Sequence, residues 1–359
     1  MSFLSNGVFV SNETDALFYY HFNKCNLLNS IQVYNDVDKF ISSQHDKKIA
    51  CLQMPYPLTN DFNILVNELA GKCDNILILV SELHDKTMRF IREHDRQDIS
   101  YFICGDINIT IYSSPIHKFY DWFTTSTHFY KHVNPDLLSE LFPFQPKPKS
   151  FDILLGRKKL HRDTIYNFVN QAGLADKNVM TYINDVNCSF DDPAKWIWES
   201  QGLGDTSDAT WTVNRVEYYG HKMSISQIVP ISIYNQTCYS IVAETNWASE
   251  YSFYTEKTIK PILGRRLFVM FAGRDYLRNL RNIGFCTFDR VIDESYDNER
   301  GDMERFSMAM DQVKYLCSKP QEEILDIINP ICNYNLEHLM RVDWYEEYFK
   351  SSFVQYFNQ

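Results

Sequence analysis

The chain has 359 residues, a length at which one hydrophobic core usually gives way to two domains of about 150 to 200 residues each. Apolar residues make up 45% of it, aromatic residues 15% and charged residues 23%, which excludes a disordered or low-complexity chain. Its 35 basic and 46 acidic residues give a formal charge of -11, so extended non-specific binding to nucleic acid is disfavoured while a local basic pocket is not.

At the N-terminus, Met1-Ser2-Phe3-Leu4-Ser5-Asn6-Gly7 lacks the basic patch and apolar core of a signal peptide. No window reaches the roughly 18 to 20 uncharged apolar residues of a membrane helix. Nine cysteines, at positions 25, 51, 73, 104, 188, 238, 286, 317 and 332, form no close pair of metal-ligand spacing. Their odd number and scatter suit a reducing compartment. These features predict a cytoplasmic protein with no transmembrane segment.

In the first half, apolar runs alternate with helical patterns: Lys48-Ile49-Ala50-Cys51-Leu52, then 61–69, Asn75-Ile76-Leu77-Ile78-Leu79-Val80, 85–93 and 99–104. Short strands that are apolar throughout, separated by helix-length segments, predict a parallel sheet covered on both faces. The segment 141–150 has three prolines in six positions and reads as an extended connection, so a domain boundary is expected there, with domains at 1–146 and 147–330. Beyond it the order restarts with Phe151-Asp152-Ile153-Leu154-Leu155, a helix from about Asp163 to Ala172, and a strand over 179–183. From Ser189 to Tyr219 the pattern is poor and reads as an insertion or long ordered loop. A strand over 239–243, a helix starting near Thr255, a strand over 267–271 and a helix from Tyr276 closing at Gly284 follow. The end of the chain, 331–359, alternates aromatic and charged residues and predicts a C-terminal helical segment.

Open parallel sheets bind ligands beyond the carboxyl ends of their strands, where helix N-termini point amides at anions. Glu244, Tyr254, Thr255, Glu256, Lys257 and Lys260 follow one such strand. A lysine there can neutralise a diphosphate, and a carboxylate can accept hydrogen bonds from ribose hydroxyls. Arg157 and Arg162, in the basic stretch Gly156-Arg157-Lys158-Lys159-Leu160-His161-Arg162, follow the first strand of the second domain and suit bidentate contact with the same phosphates.

Tyr254-Thr255-Glu256-Lys257, followed by an apolar turn and Leu267-Phe268-Val269-Met270, resembles the donor-site signature of the alpha-1,3-fucosyltransferases and, more broadly, of exostosin-like glycosyltransferases. The resemblance spans roughly 239–295, including Ile283-Gly284-Phe285 and Ile292-Asp293-Glu294. It implies a nucleotide-sugar co-substrate, a GDP- or UDP-sugar, contacted by Tyr254, Glu256 and Lys257, with Arg157 as the donor-contacting arginine. It also implies an α/β fold of two facing Rossmann-like domains of the GT-B type, with a C-terminal helical segment that can return to the first. After the lysine the chain departs from the family, with Thr258-Ile259-Lys260-Pro261, so the motif does not name the sugar.

An inverting sugar transfer needs a base for the acceptor hydroxyl. Glu82 and His84, in Ser81-Glu82-Leu83-His84-Asp85, and Asp106, after Gly105, lie at strand ends of the first domain and are the candidates. Their structural alternative is helix capping by Ser81 or Asp85. His117, Asp121 and His128 recur at spacings that could share a helical face, but the aromatic surroundings favour a core or interface helix, and no metal is expected. No Gly-rich lysine loop or dinucleotide fingerprint occurs, and Gly202-Leu203-Gly204-Asp205 has no preceding strand, which disfavours a kinase or dehydrogenase. The preferred reading is transfer of a sugar from a nucleoside diphosphate to a hydroxyl acceptor, such as a carbohydrate. The alternatives are a non-catalytic nucleotide- or carbohydrate-binding module, and a transferase acting on nucleic-acid bases, for which Phe119-Tyr120-Asp121-Trp122-Phe123 would supply stacking rings.

Overall fold

Strands that are apolar at every position are stable only where both faces are covered, and the chain builds two parallel sheets of this kind. The computed structural model describes residues 6–11, 15–132, 136–156, 159–182, 215–218, 221–224, 229–247 and 250–358. They fall into two compact units, Met1–Asp121 with Asp343–Gln359, and Trp122–Val342.

The first unit runs β1 (Asn6–Val10), α1 (Asp15–Lys24), β2 (Ile31–Tyr34), α2 (Val37–Ser42), β3 (Lys47–Gln53), α3 (Asn60–Leu69), β4 (Asn75–Val80), α4 (Asp85–Glu93), β5 (Ile99–Cys104) and β6 (Ile116–Phe119). Its six strands pair in parallel in the order β2-β1-β3-β4-β5-β6. Val8 therefore lies between Val33 and Ile49, and Ile78 between Leu52 and Tyr101. The order reverses between β1 and β3, which makes the ends of these strands a topological switch point.

In the second unit α5 (Asp121–His132) and α6 (Leu137–Leu141) lead into β7 (Lys149–Leu155), α7 (Leu160–Gln171) and β8 (Asn178–Tyr182). An antiparallel hairpin, β9 (Arg215–Tyr218) with β10 (His221–Ser224), precedes α8 (Ile231–Tyr234) and β11 (Thr237–Ala243). Then come α9 (Glu256–Leu263), β12 (Phe268–Phe271), α10 (Tyr276–Asn282), α11 (Asp302–Cys317) and α12 (Gln321–Arg341). The parallel order β12-β11-β7-β8 repeats the first four strands of the other sheet and places a switch point between β7 and β11. Most of the segment expected to be an insertion, 189–214 and 219, lies outside the described residues, as does Gly202-Leu203-Gly204-Asp205.

The proline-rich stretch belongs to the second unit, and the chain crosses between units at Asp121–Trp122 and Val342–Asp343, not within 141–150. Side chains of the second unit hold the stretch: Arg265 Nη2 donates to the Phe142 carbonyl at 2.7 Å and Gln321 Oε1 accepts from the Lys147 amide at 2.7 Å. Beneath it, the buried Arg266 guanidinium pairs with Asp152 at 2.8 Å and donates to Ser240 Oγ and to the Thr237, Tyr234 and Tyr239 carbonyls. Such a charge is tolerable in a core only because its donors are so fully engaged.

After α12 the chain returns to the first unit through a wide helical turn over Glu346–Lys350 and α13 (Ser351–Asn358). Tyr345, Phe349, Phe353 and Phe357 recur every four residues and form one stripe of rings. Phe353 meets Phe22 and Phe102, while Asn6 Nδ2 donates to the Phe357 carbonyl at 3.0 Å. Two separate parallel sheets, each flanked by helices, with a C-terminal helical segment, match a two-Rossmann-domain arrangement of the GT-B type.

Phe353 is fully buried, so Phe353→Ala should destabilise the first unit by about 3–5 kcal/mol, the cost of emptying a large aromatic site. Urea unfolding followed by hydrogen exchange in β1 and β5 checks this, and an unchanged midpoint would mean that the stripe does not hold the unit together.

Candidate functional site

The switch point of the second sheet gathers most of the residues singled out from the sequence. Past the end of β11 stands Glu244, fully buried. Its Oε1 accepts from the Thr255 amide (3.1 Å), Thr258 Oγ1 (2.7 Å) and Tyr276 OH (3.1 Å), and its Oε2 from the Thr245 amide (2.9 Å) and Thr255 Oγ1 (2.8 Å). The carboxylate thus joins the end of β11 to the starts of α9 and α10 and positions these segments.

Thr255 is the N-cap of α9, its hydroxyl accepting from the Lys257 amide at 3.3 Å. Glu256 and Lys257 open the helix and pair at 2.7 Å, both partly exposed. Lys257 Nζ also reaches Thr245 Oγ1 at 3.1 Å. Burial pushes the Glu256 carboxyl up, but Lys257 and Lys260 outweigh it and hold the group below its usual range. Lys260 sits one turn on. Burial lowers its ammonium to about 8, with Glu256 opposing and Lys257 adding to the shift. Tyr254 is buried, its ring between Phe123 (5.7 Å) and Tyr276 (5.0 Å), where it fixes the approach to the cap.

From the other side of the switch point, the start of α7 grips the same loop. Lys159 Nζ donates to the Thr245 carbonyl at 2.5 Å, and His161 Nε2 to the Glu244 carbonyl at 2.8 Å. A carbonyl only accepts, so the His161 proton is on Nε2. Burial, then the charge of Arg162, depresses this imidazole to about 3, with Lys159 and Lys257 adding to the effect. Its ring is neutral at physiological pH. Arg162 is buried, and its guanidinium lies over Gly156, where a Cβ would stand 3.3 Å from Nη1. Arg157 and Lys158 lie outside the described residues.

The catalytic candidates of the first unit separate. Glu82 is exposed and His84 half-buried at the end of β4. His84 itself caps α4, in place of the expected Ser81 or Asp85: its Nδ1 accepts from the Thr87 amide at 3.4 Å. The imidazole proton is therefore on Nε2, and burial lowers the pKa, so the ring offers a hydrogen-bond donor. Asp106, beyond β5, is buried in an ion pair with Lys118 (2.6 Å) and accepts from Tyr120 OH (3.1 Å). Beside the ends of β3 and β4 opens a cavity of about 320 Å³. Gln53, Met54, Pro55 and Tyr56 line one side, and Ser81, Glu82, His84 and Thr87 the other.

His117 lies on β6 with its ring stacked on Phe102, apart from the helix that carries Asp121 and His128. The three do not share a helical face. Among the described residues no group of three His, Cys, Asp or Glu side chains is placed to hold a metal ion, and no helix is long and apolar enough to cross a membrane. None of the eight described cysteines is joined in a disulfide. Thr258 and Tyr276, which complete the Glu244 network, were not among the residues picked out from the sequence. The spacing of Thr255 and Thr258, one turn apart at a helix start, was the available signal.

No profile of a known protein family matches the chain, and no curated protein matches it. The two-sheet parallel architecture is consistent with the GT-B-like superfamily and with enzymes that bind nucleotide sugars, while no sequence match ties the chain to the fucosyltransferases or exostosins.

Replacing Glu244 by Gln puts an NH₂ opposite a fixed backbone N–H whichever way the amide turns. Glu244→Gln should therefore cost about 2 kcal/mol or more, the scale of buried donors left unsatisfied. Amide exchange at Thr255 and Lys257 should rise by tenfold or more. Unchanged protection there would sink the positioning role.

Proposed function

We propose that the protein is a glycosyltransferase that moves a sugar from a nucleoside-diphosphate donor to a hydroxyl acceptor, fucosyltransferase-like and inverting. The observation that carries this reading is the convergence of Lys159, Arg162, Lys257 and Lys260 with a capped helix start at the switch point of the second sheet. Anions bind such helix starts, and a diphosphate leaving group develops charge as the bond to the sugar breaks. Lys257 and Arg162 would stabilise that charge. Glu256, already held ionised by its neighbours, would accept hydrogen bonds from the ribose. Arg157 is kept as a further donor contact on the strength of the resemblance.

The first unit would present the acceptor. When the acceptor oxygen bonds to the anomeric carbon, the bond from that carbon to the diphosphate oxygen breaks and the hydroxyl proton passes to a base. Of the three candidates, Glu82 suits that role best. Asp106 is engaged with Lys118, and His84 in the tautomer set by Thr87 offers a proton instead of a lone pair.

Nucleoside-diphosphate release from GDP-, UDP-, ADP- and dTDP-sugars tests the reading. One donor should be turned over or should stabilise the fold, and Lys257→Ala should lower turnover at least about tenfold, as expected for loss of a charge-assisted contact worth roughly 1.5–3 kcal/mol. Full turnover in a folded Lys257→Ala protein would remove Lys257 from the site.

The depressed Lys260 ammonium sets a pH dependence. Below pH 8 Lys260 carries its charge and favours an anion; above it the charge is lost. Affinity for a nucleotide sugar, whose diphosphate does not titrate in this range, should fall between pH 7 and 9. Lys260→Arg, which stays charged throughout, should flatten the decline. Identical slopes in calorimetric titrations of the two proteins would dissociate Lys260 from the phosphates.

A further inference from the structure

The cavity at the ends of β3 and β4 has a lining that selects a ligand class. Tyr56 is 68% exposed, unusual for so large a ring, yet it is set edge-on against His84 with 5.1 Å between centroids. A ring held this way offers its other surface as a flat apolar platform with a polar tip. Opposite it, Gln53 Nε2 donates to Ser81 Oγ at 3.3 Å. That contact leaves the Gln53 amide oxygen as an acceptor and the Ser81 hydroxyl proton as a donor.

The floor of the cavity is preorganised. Thr87, fully buried, donates its amide to His84 Nδ1 and its hydroxyl to the Glu82 carbonyl at 3.3 Å. The turn carrying Ser81, Glu82 and His84 is therefore fixed before any ligand arrives, and His84 presents Nε2–H. None of the lining residues is a lysine or arginine, and Glu82 contributes the one carboxylate. A phosphate or sugar acid would meet no cation there. At about 320 Å³ the space is at the lower end of the roughly 300–1,000 Å³ of small-molecule pockets, which suits a single ring better than a nucleotide.

We propose that this pocket binds a neutral sugar ring, seated on Tyr56 by its C–H face and held at its hydroxyls by Gln53, Ser81, Glu82 and the His84 Nε2–H. The inference deepens the acceptor half of the proposed function and rests on it only for the ligand's role as acceptor; the ligand's chemistry follows from the lining. It makes the acceptor of this enzyme a neutral glycan end and not an anionic polymer.

The test uses the full chain without any nucleotide. Saturation-transfer NMR and calorimetry are run with the methyl glycosides of glucose, galactose, mannose, xylose and N-acetylglucosamine, and in parallel with glucuronate, glucose 6-phosphate, uridine and guanosine. At least one neutral glycoside should bind, with Tyr56→Ala and Gln53→Ala each weakening it fivefold or more. Both residues are on the surface of the pocket, and an unchanged thermal midpoint shows that each variant folds. Absence of binding by every neutral glycoside, equal binding in the two variants, or preference for a charged sugar or a nucleoside overturns the proposal. Nucleotide-sugar binding measured separately on the same wild-type and variant proteins reports on the second unit, so failure of the sugar pocket and failure of the donor reading give different results.

Discussion

A single buried carboxylate organises the second unit's candidate site. Glu244 ends the central strand of its sheet, and a charge there is tolerable only if donors surround it. They come from three places: the following residue Thr245, the cap and first turn of α9, and the first residue of α10. The cost of leaving that carboxylate unpaired forces the three segments to converge. Once they do, Glu256 and Lys257 are fixed at the head of α9, and the Glu244 and Thr245 carbonyls are turned toward His161 and Lys159. The positions of Glu256 and Lys257 are thus consequences of a carboxylate enclosed by its own neighbours.

The two sheets share a strand order in their first four strands, yet they furnish their carboxyl ends with opposite chemistry. In the second unit the strand ends carry lysines, an arginine and a neutral imidazole. In the first, the ends of β3 and β4 carry an amide, hydroxyls, a carboxylate and an exposed ring. The backbone topology creates a concave edge in both cases. What that edge attracts is decided by a handful of side chains after each strand, which is why fold and function have to be argued separately.

Much of this was legible in the sequence where the signal was strong. The uninterrupted apolar runs of β4, β5 and β11 could be nothing but covered strands, and Thr255 before Glu256-Lys257 announced a helix start. The alternation of aromatic and charged residues at the end of the chain likewise read as helical, while the stripe of rings from Tyr345 to Phe357 emerged only in the structure. Other elements were invisible. β1 and β2 have only a few apolar residues each, and their place in the sheet comes from partners far along the chain, such as Ile49 opposite Val8. β6 sets a histidine and a lysine side by side between two apolar residues and lacks a strand alternation, so a helical period through His117 and Asp121 looked equally good. The surroundings of Glu244 were not legible for a related reason: a carboxylate after a strand has the same sequence appearance whether it faces solvent or is enclosed by threonines and a tyrosine brought from other elements. The boundary of the units also followed tertiary contacts, because Arg265 and Gln321 capture the proline-rich stretch that local composition marks as a linker.

Two groups of cations in the second unit show how stability and binding diverge. Arg266 has carbonyls, hydroxyls and Asp152 around its whole guanidinium and has no need of anything further. Lys257 and Lys260 are placed differently. Lys257, in the first turn of α9, opposes the helix dipole, and burial depresses the Lys260 ammonium in the last turn, with the charge of Lys257 adding to the shift. Glu256 opposes that shift without cancelling it. A fold selected for stability alone would place an acidic or neutral side chain at the position of Lys257, and local conflicts of this kind concentrate at functional sites. On the proposed function, an entering diphosphate would pair with both ammonium groups and would meet the amides of α9 with the polarity they require. The lysine that opposes the helix dipole and the lysine that resists burial would then be the groups that draw the diphosphate in.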